Sequence, residues 1–235
     1  MITFLHGFLG SPEDWKPITQ LITTPFQTLT LPGHCGKPLD LSLLEREIPE
    51  KTTLVGYSLG GRLAMDFAKK FPERIEDLII LSANPGVESG REERIIQDEK
   101  WITLLEKEGM DQFLEKWYAQ GLFSSFSLTE EVKNRRKMHD PHTLSEILRT
   151  LSPAKLPSMW PHLKDFSCSM LFLFGENDIK YQSIGKRLMG DYDVMWIPNA
   201  SHPIHLEAPE IVAEIINRRS YDLSSRRRNQ MASQR

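Results

Sequence analysis

Thr52-Thr53-Leu54-Val55-Gly56-Tyr57-Ser58-Leu59-Gly60-Gly61-Arg62-Leu63-Ala64 is the stretch on which the fold turns. A short β-forming run ends on a glycine, and a helical pattern through Leu63, Ala64, Phe67 and Ala68 follows. Between them stands Gly-x-Ser-x-Gly, a strand-to-helix turn that projects a serine hydroxyl beyond the end of a sheet. Gly56 and Gly60 let neighbouring backbones crowd the serine, and the helix N-terminus favours developing negative charge. The plainer alternative is a glycine-rich βα turn with Ser58 as helix cap.

Outward from this turn, β-rich runs alternate with helical patterns: Ile2 to Leu5, Phe26 to Leu31, Thr52 to Tyr57, Leu78 to Leu81, Met170 to Phe174, and Asp193 to Ile197. The alternation argues for an α/β fold with a mostly parallel sheet flanked by helices. Leu78 to Leu81 and Met170 to Phe174 are apolar without interruption, as strands buried on both faces are. From Arg91 to Thr150 no strand is expected, only helices around Ile95 to Leu105, Gln112 to Trp117, Glu130 to Met138 and Thr143 to Leu148. These read as an all-helical cap inserted between sheet strands, over the edge where open α/β folds bind ligands. The expected division is a first core part over 1–86, a cap over 87–160, a second core part over 161–220, and an Arg-rich, disordered tail over 221–235.

The chain has 235 residues, 40% of them hydrophobic, enough for a large core and too many for a disordered protein. A formal net charge of -3 gives no reason to expect nucleic acid or an anionic membrane as partner. No run is long enough to span a membrane, the first ten residues lack the features of a signal peptide, and Cys35 and Cys168 are too few for a disulfide framework. A cytoplasmic protein, monomeric or weakly homo-oligomeric, is expected.

Further pieces fit the serine. His6-Gly7-Phe8-Leu9-Gly10 follows the first strand, and such a loop can aim the backbone N–H of Phe8 at an oxyanion together with that of Leu59. His6 itself is read as structural. A triad needs an acid and then a histidine at the ends of later strands. Asp178 in Gly175-Glu176-Asn177-Asp178 is the expected acid, with Glu176 its competitor. His202, nearer its strand end than His205, is the expected base. His202, His205 and Glu207 also resemble a ligand cluster, but they lie in a loop without the helical spacing of a zinc motif, so no metal and no cofactor are expected.

At Gly56 to Gly60, Asp178 and His202 the chain resembles the α/β-hydrolase superfamily. Leu31-Pro32-Gly33-His34, Gly56 to Arg62, Asn84-Pro85-Gly86, Glu93 to Asp98 and Trp117-Tyr118-Ala119-Gln120 narrow the resemblance to the 2-succinyl-6-hydroxy-2,4-cyclohexadiene-1-carboxylate synthases of menaquinone biosynthesis. The resemblance implies elimination of pyruvate from a cyclohexene polyacid, with the triad abstracting a proton where relatives hydrolyse an ester. It also implies a small polycarboxylate substrate gripped by Arg62, Arg94 and Arg136, with Arg135 the rival of Arg136, and a pocket lined by Trp117; Tyr57, beside the serine, is expected either to contact the substrate or to pack. Guanidinium forks suit carboxylates because two parallel hydrogen bonds fix orientation as well as charge.

Three departures stand against this likeness. The strand before His6-Gly7 opens the sequence, so the leading hairpin of many relatives is expected to be absent or reduced. Cys35 replaces the second glycine of Pro-Gly-His-Gly, and the Arg-rich tail has no counterpart. The competing functions are a small-substrate serine carboxylesterase or carbon-carbon bond hydrolase using the same triad, and a binding module that has lost activity. All three triad residues are present in order, which argues against the last.

Overall fold

The computed structural model describes residues 1–232. Six strands form one sheet: β1 (Ile2–Leu5), β2 (Phe26–Leu29), β3 (Thr52–Tyr57), β4 (Ile75–Leu81), β5 (Ser169–Gly175) and β6 (Asp193–Ile197), in the order β2-β1-β3-β4-β5-β6. Every neighbouring pair is parallel. The helices are α1 (Lys16–Thr19), α2 (Ser42–Glu47), α3 (Leu59–Lys70), α4 (Arg91–Tyr118), α5 (Glu130–Lys137), α6 (Pro141–Leu151), α7 (Ile179–Leu188), α8 (Ile204–Glu207) and α9 (Pro209–Ala232).

The apolar strands explain the layering. Along β4 and β5, Leu78, Ile80, Met170, Phe172 and Phe174 enter one core, while Ile79, Leu81, Leu171 and Leu173 enter the other. Successive side chains point to opposite faces, so an unbroken apolar strand requires cover on both. From β1 the chain moves outward to β2, then back past β1 to β3, so the strand order reverses between β1 and β3. A crevice opens at such a switch point, outside the carboxyl ends of the strands. Leu5 pairs with Gly56, which brings the loop after β1 beside the turn after β3.

Helices α4, α5 and α6 lie between β4 and β5, and α4 is kinked at Gly109, whose φ of 80 breaks the helical path. At the Cys35 position the turn keeps its left-handed backbone: Gly33, Cys35 and Gly36 have φ of 80, 50 and 77. A cysteine there bears a steric strain that glycine does not. One expectation is corrected. The segment from Tyr221 is not a separate, disordered tail but continues α9 to Ala232, and residues 233–235 of that expectation lie outside the described residues. Its Ser- and Arg-rich composition resembles a solvated tail, yet a helix already anchored by Val212, Ala213 and Ile216 need only propagate.

A buried ion pair ties α9 to the sheet. Asp77 on β4 is fully buried and accepts from Arg219 Nε at 2.6 Å and Nη2 at 3.0 Å, and from Ser169 Oγ at 2.6 Å. Removing one partner of such a pair strands the other charge. Arg219→Ala is therefore expected to lower the unfolding free energy by about 3 kcal/mol or more, measured by urea denaturation.

Candidate active site

Ser58 occupies the turn between β3 and α3 with φ 51 and ψ −110, a conformation that side chains rarely adopt. Crowding holds it there. A Cβ on Gly56 would meet Gly60 O at 2.5 Å, and one on Gly60 would collide with the carbonyl oxygens of Leu5 and His6. Only glycines let α3 start this close to β1. The Leu59 N–H, first in α3, has no intrahelical acceptor by its position. The Phe8 N–H makes no hydrogen bond among the described residues. Both residues line the cavity that contains Ser58, so the two amides are available to an oxyanion.

His202 Nδ1–H donates to Asp178 Oδ2 at 2.7 Å, and His202 Nε2 accepts from Ser58 Oγ at 3.1 Å. This contiguous chain fixes the tautomer in which Nε2 is the base. Asp178, fully buried, also caps α7 by accepting the Tyr181 N–H at 3.3 Å, while Glu176 is exposed. The cap holds the histidine loop, because His202 N–H donates to Leu122 O at 2.9 Å. His205, the rival base, is packed between Tyr57 and Trp15 with ring centroids 4.1 and 5.0 Å away. Glu207 accepts from Ser201 N–H and Oγ, both at 2.7 Å, which turns it to a structural task. His6 is structural too: Nδ1–H donates to Gly7 O at 2.8 Å and Nε2 accepts from Leu31 N–H at 3.0 Å. Among the described residues no cluster of His, Cys, Asp or Glu is placed to hold a metal ion, and no helix is long and apolar enough to cross a membrane.

The cavity holds about 130 Å³ and lies between the sheet edge and the cap. A larger groove of about 690 Å³ runs between β6 and α9, but it contains no triad residue. Arg62, Arg94 and Trp117 line the catalytic cavity as expected from the sequence. Arg62 donates to Asn84 O at 3.2 Å and Pro153 O at 3.4 Å, and burial lowers its pKa to about 10, which leaves it a cation at neutral pH. Arg94 Nε donates to Asp98 Oδ1 at 2.8 Å.

Arg136 does not reach the cavity. It is buried in an ion pair with Asp14, with Nη1 and Nη2 donating at 3.0 and 2.8 Å, and its Nε donates to Tyr118 Oη at 3.1 Å. Burial opposes both charges, but each partner outweighs it: Tyr118 and Asp14 raise the Arg136 pKa, and Arg136 lowers that of Asp14. Arg135 also turns to Asp14, at 3.3 Å, and to Glu131. Both are therefore corrected from substrate contacts to ties between α5 and the loop after β1. Tyr57 is corrected likewise: it packs behind the triad against His202 and His205 and does not line the cavity. Its spacing beside the serine could not tell the front of the strand end from the back.

Sequence reasoning passed over Trp101, Gln97, Asn84, Tyr181 and Lys180, all of which line the cavity. Gln97 and Asn84 lie inside motif segments already singled out. Lys180 and Tyr181 follow Asp178 directly, so adjacency to the expected acid was the available signal.

Two outcomes follow from this geometry. Asp178→Asn keeps the packing but removes the charge that orients His202, and is expected to reduce turnover about ten-thousandfold with an unchanged circular dichroism spectrum. The second concerns acid stability. Burial lowers the pKa of His6 and of His205 from 6.5 to about 3. Between those values the unfolded chain binds protons that the folded one does not, so stability falls as pH falls, by up to about 1.4 kcal/mol per pH unit for each histidine. Urea denaturation of His205→Phe at pH 7 and pH 5 should show a smaller loss than in the parent protein.

The chain matches the Alpha/beta hydrolase family over residues 4–215. The 2-succinyl-6-hydroxy-2,4-cyclohexadiene-1-carboxylate synthase of Enterobacter sp. (strain 638) is 31% identical, over 90% of this chain and 88% of that one. The chloroplastic protein PHYLLO of Arabidopsis thaliana is 29% identical over 88% of this chain, which spans only 14% of that relative's length. Among solved structures, MenH from S. aureus superposes with a TM-score of 0.85 at 26% identity, covering 95% of this chain and 94% of that one. The chain thus belongs to the alpha/beta hydrolase family and, within it, to the family of 2-succinyl-6-hydroxy-2,4-cyclohexadiene-1-carboxylate synthases.

Proposed function

We propose that this chain eliminates pyruvate from 5-enolpyruvoyl-6-hydroxy-2-succinyl-cyclohex-3-ene-1-carboxylate, a small polycarboxylate, to give the cyclohexadiene. The observation that carries this reading is the charge of the cavity. Beside the triad its lining carries the three cations Arg62, Arg94 and Lys180, and no Asp or Glu. A polyanion offers charged partners to all three cations, which a neutral ester does not. Arg136, withdrawn to Asp14, no longer counts toward that total, and Lys180 takes its place in the sum.

In this reading His202 accepts the Ser58 proton as Ser58 Oγ removes a proton from the ring carbon. The electron pair left on carbon forms a C=C bond to the adjacent ring carbon, the existing ring C=C bond shifts one position along the ring, and the ring C–O bond to the enolpyruvyl group breaks. The departing enolate takes a proton from His202 and becomes pyruvate, so no water is consumed. The developing negative charge is delocalised over the substrate, and the Phe8 and Leu59 amides with the nearby cations are the groups that stabilise it.

Purified protein incubated with the precursor is expected to release pyruvate and diene in equal amounts. Ser58→Ala is expected to lower the rate about a thousandfold, and Arg62→Ala about a hundredfold. Ser58-dependent cleavage of short acyl p-nitrophenyl esters with no pyruvate release would overturn the assignment in favour of an esterase.

A further inference from the structure

Lys180 is the one cavity cation that no motif marked. It is the second residue of α7, two positions after the triad acid that caps this helix. The three cations come from three separate elements, α3, α4 and α7, so a ligand that meets all of them touches core and cap together. Their existing partners differ. Arg62 donates to two carbonyl oxygens and Arg94 is paired with Asp98, but the Lys180 ammonium makes no hydrogen bond or ion pair among the described residues. Its position is also electrostatically adverse. The first turn of α7 contains no acidic residue, and a cation there faces the positive end of the helix dipole. Partial desolvation at the cavity mouth and then Arg94 lower its pKa, against the opposing pull of Asp178 and Asp98, although the residue as a whole is exposed. A cation at the cavity mouth, at a helix N-terminus and near Arg94, gains a charged partner when an anion enters the cavity.

We propose that Lys180 contacts the substrate and supplies the third cation of the site, its ammonium receiving a substrate carboxylate that Arg62 and Arg94 do not hold. The assignment rests on the reading of the cavity as a polycarboxylate site. It also explains why the cap arginine Arg136 can be used for docking: the charge it would have brought is provided from the core side. The carboxylate held by Lys180 sits on the helix capped by Asp178, so substrate and triad share one support.

The test uses the full-length protein and tricarballylate, an unreactive three-carboxylate probe, with binding followed through the fluorescence of Trp101 and Trp117 in the cavity wall. Lys180→Ala is expected to raise the dissociation constant at least about tenfold, and Lys180→Arg to restore it to within about threefold. Lys186→Ala, an exposed change on the same helix, should leave it unaltered. With the precursor as substrate, Lys180→Ala should raise KM by a similar factor while kcat changes little. Equal affinities for the parent protein and Lys180→Ala overturn the proposal, whether or not pyruvate is formed. Absence of pyruvate from the parent protein overturns the proposed reaction alone, since the titration still judges Lys180. No binding of tricarballylate by the parent protein overturns both the polycarboxylate reading and the role of Lys180.

Discussion

The close approach of the β3–α3 turn to the end of β1 is the constraint on which this molecule depends. Gly56 and Gly60 permit contacts that any side chain would block, and the contacts in turn hold Ser58 in a strained backbone conformation. The same crowding brings the Leu59 amide and the Phe8 loop to one side of the serine. Nucleophile and anion donors are thus set by main-chain packing before any triad hydrogen bond forms.

The cap is fastened to that arrangement at its most sensitive point. Arg136 reaches from α5 to Asp14 in the segment after β1, and His139 Nε2–H donates to Leu9 O at 2.9 Å while its Nδ1 accepts from Cys35 N–H at 3.3 Å. On the other side Leu122 accepts the backbone N–H of His202. Cap residues therefore position both the loop that carries the Phe8 amide and the loop that carries His202. Such buried contacts contribute less net stability than specificity of arrangement, because desolvation offsets much of the attraction within a buried pair.

Charge is divided between these tasks. Arg62 and Arg94 face the cavity, Arg136 faces the loop, and the neighbouring histidines His6, His34 and His205 are kept neutral by burial. A neutral histidine cluster next to a buried cation avoids like-charge repulsion while supplying polar groups to the loop. The cavity gains a positive field suited to a polyanion, with no acidic side chain in its wall to oppose it.

Much of this was legible in the sequence. The six strands, the nucleophile turn, the helical stretch between β4 and β5, and the order Ser58, Asp178, His202 are local patterns or fixed spacings, which a chain displays without folding. Asp178 and His202 were identifiable because each closely follows a strand, and strand ends in a parallel sheet converge on one edge. The destination of Arg136 was not legible. Whether its guanidinium meets substrate or Asp14 depends on how the cap sits on a loop 122 residues away in sequence. Tyr57 and Lys180 show the same limit, one turned behind the triad and the other into the cavity. Periodicity reports which face of its own element a side chain occupies, while the partner that waits there is chosen by long-range packing. Sequence determined the fold and the catalytic order, and tertiary structure decided which charges remain free for a ligand.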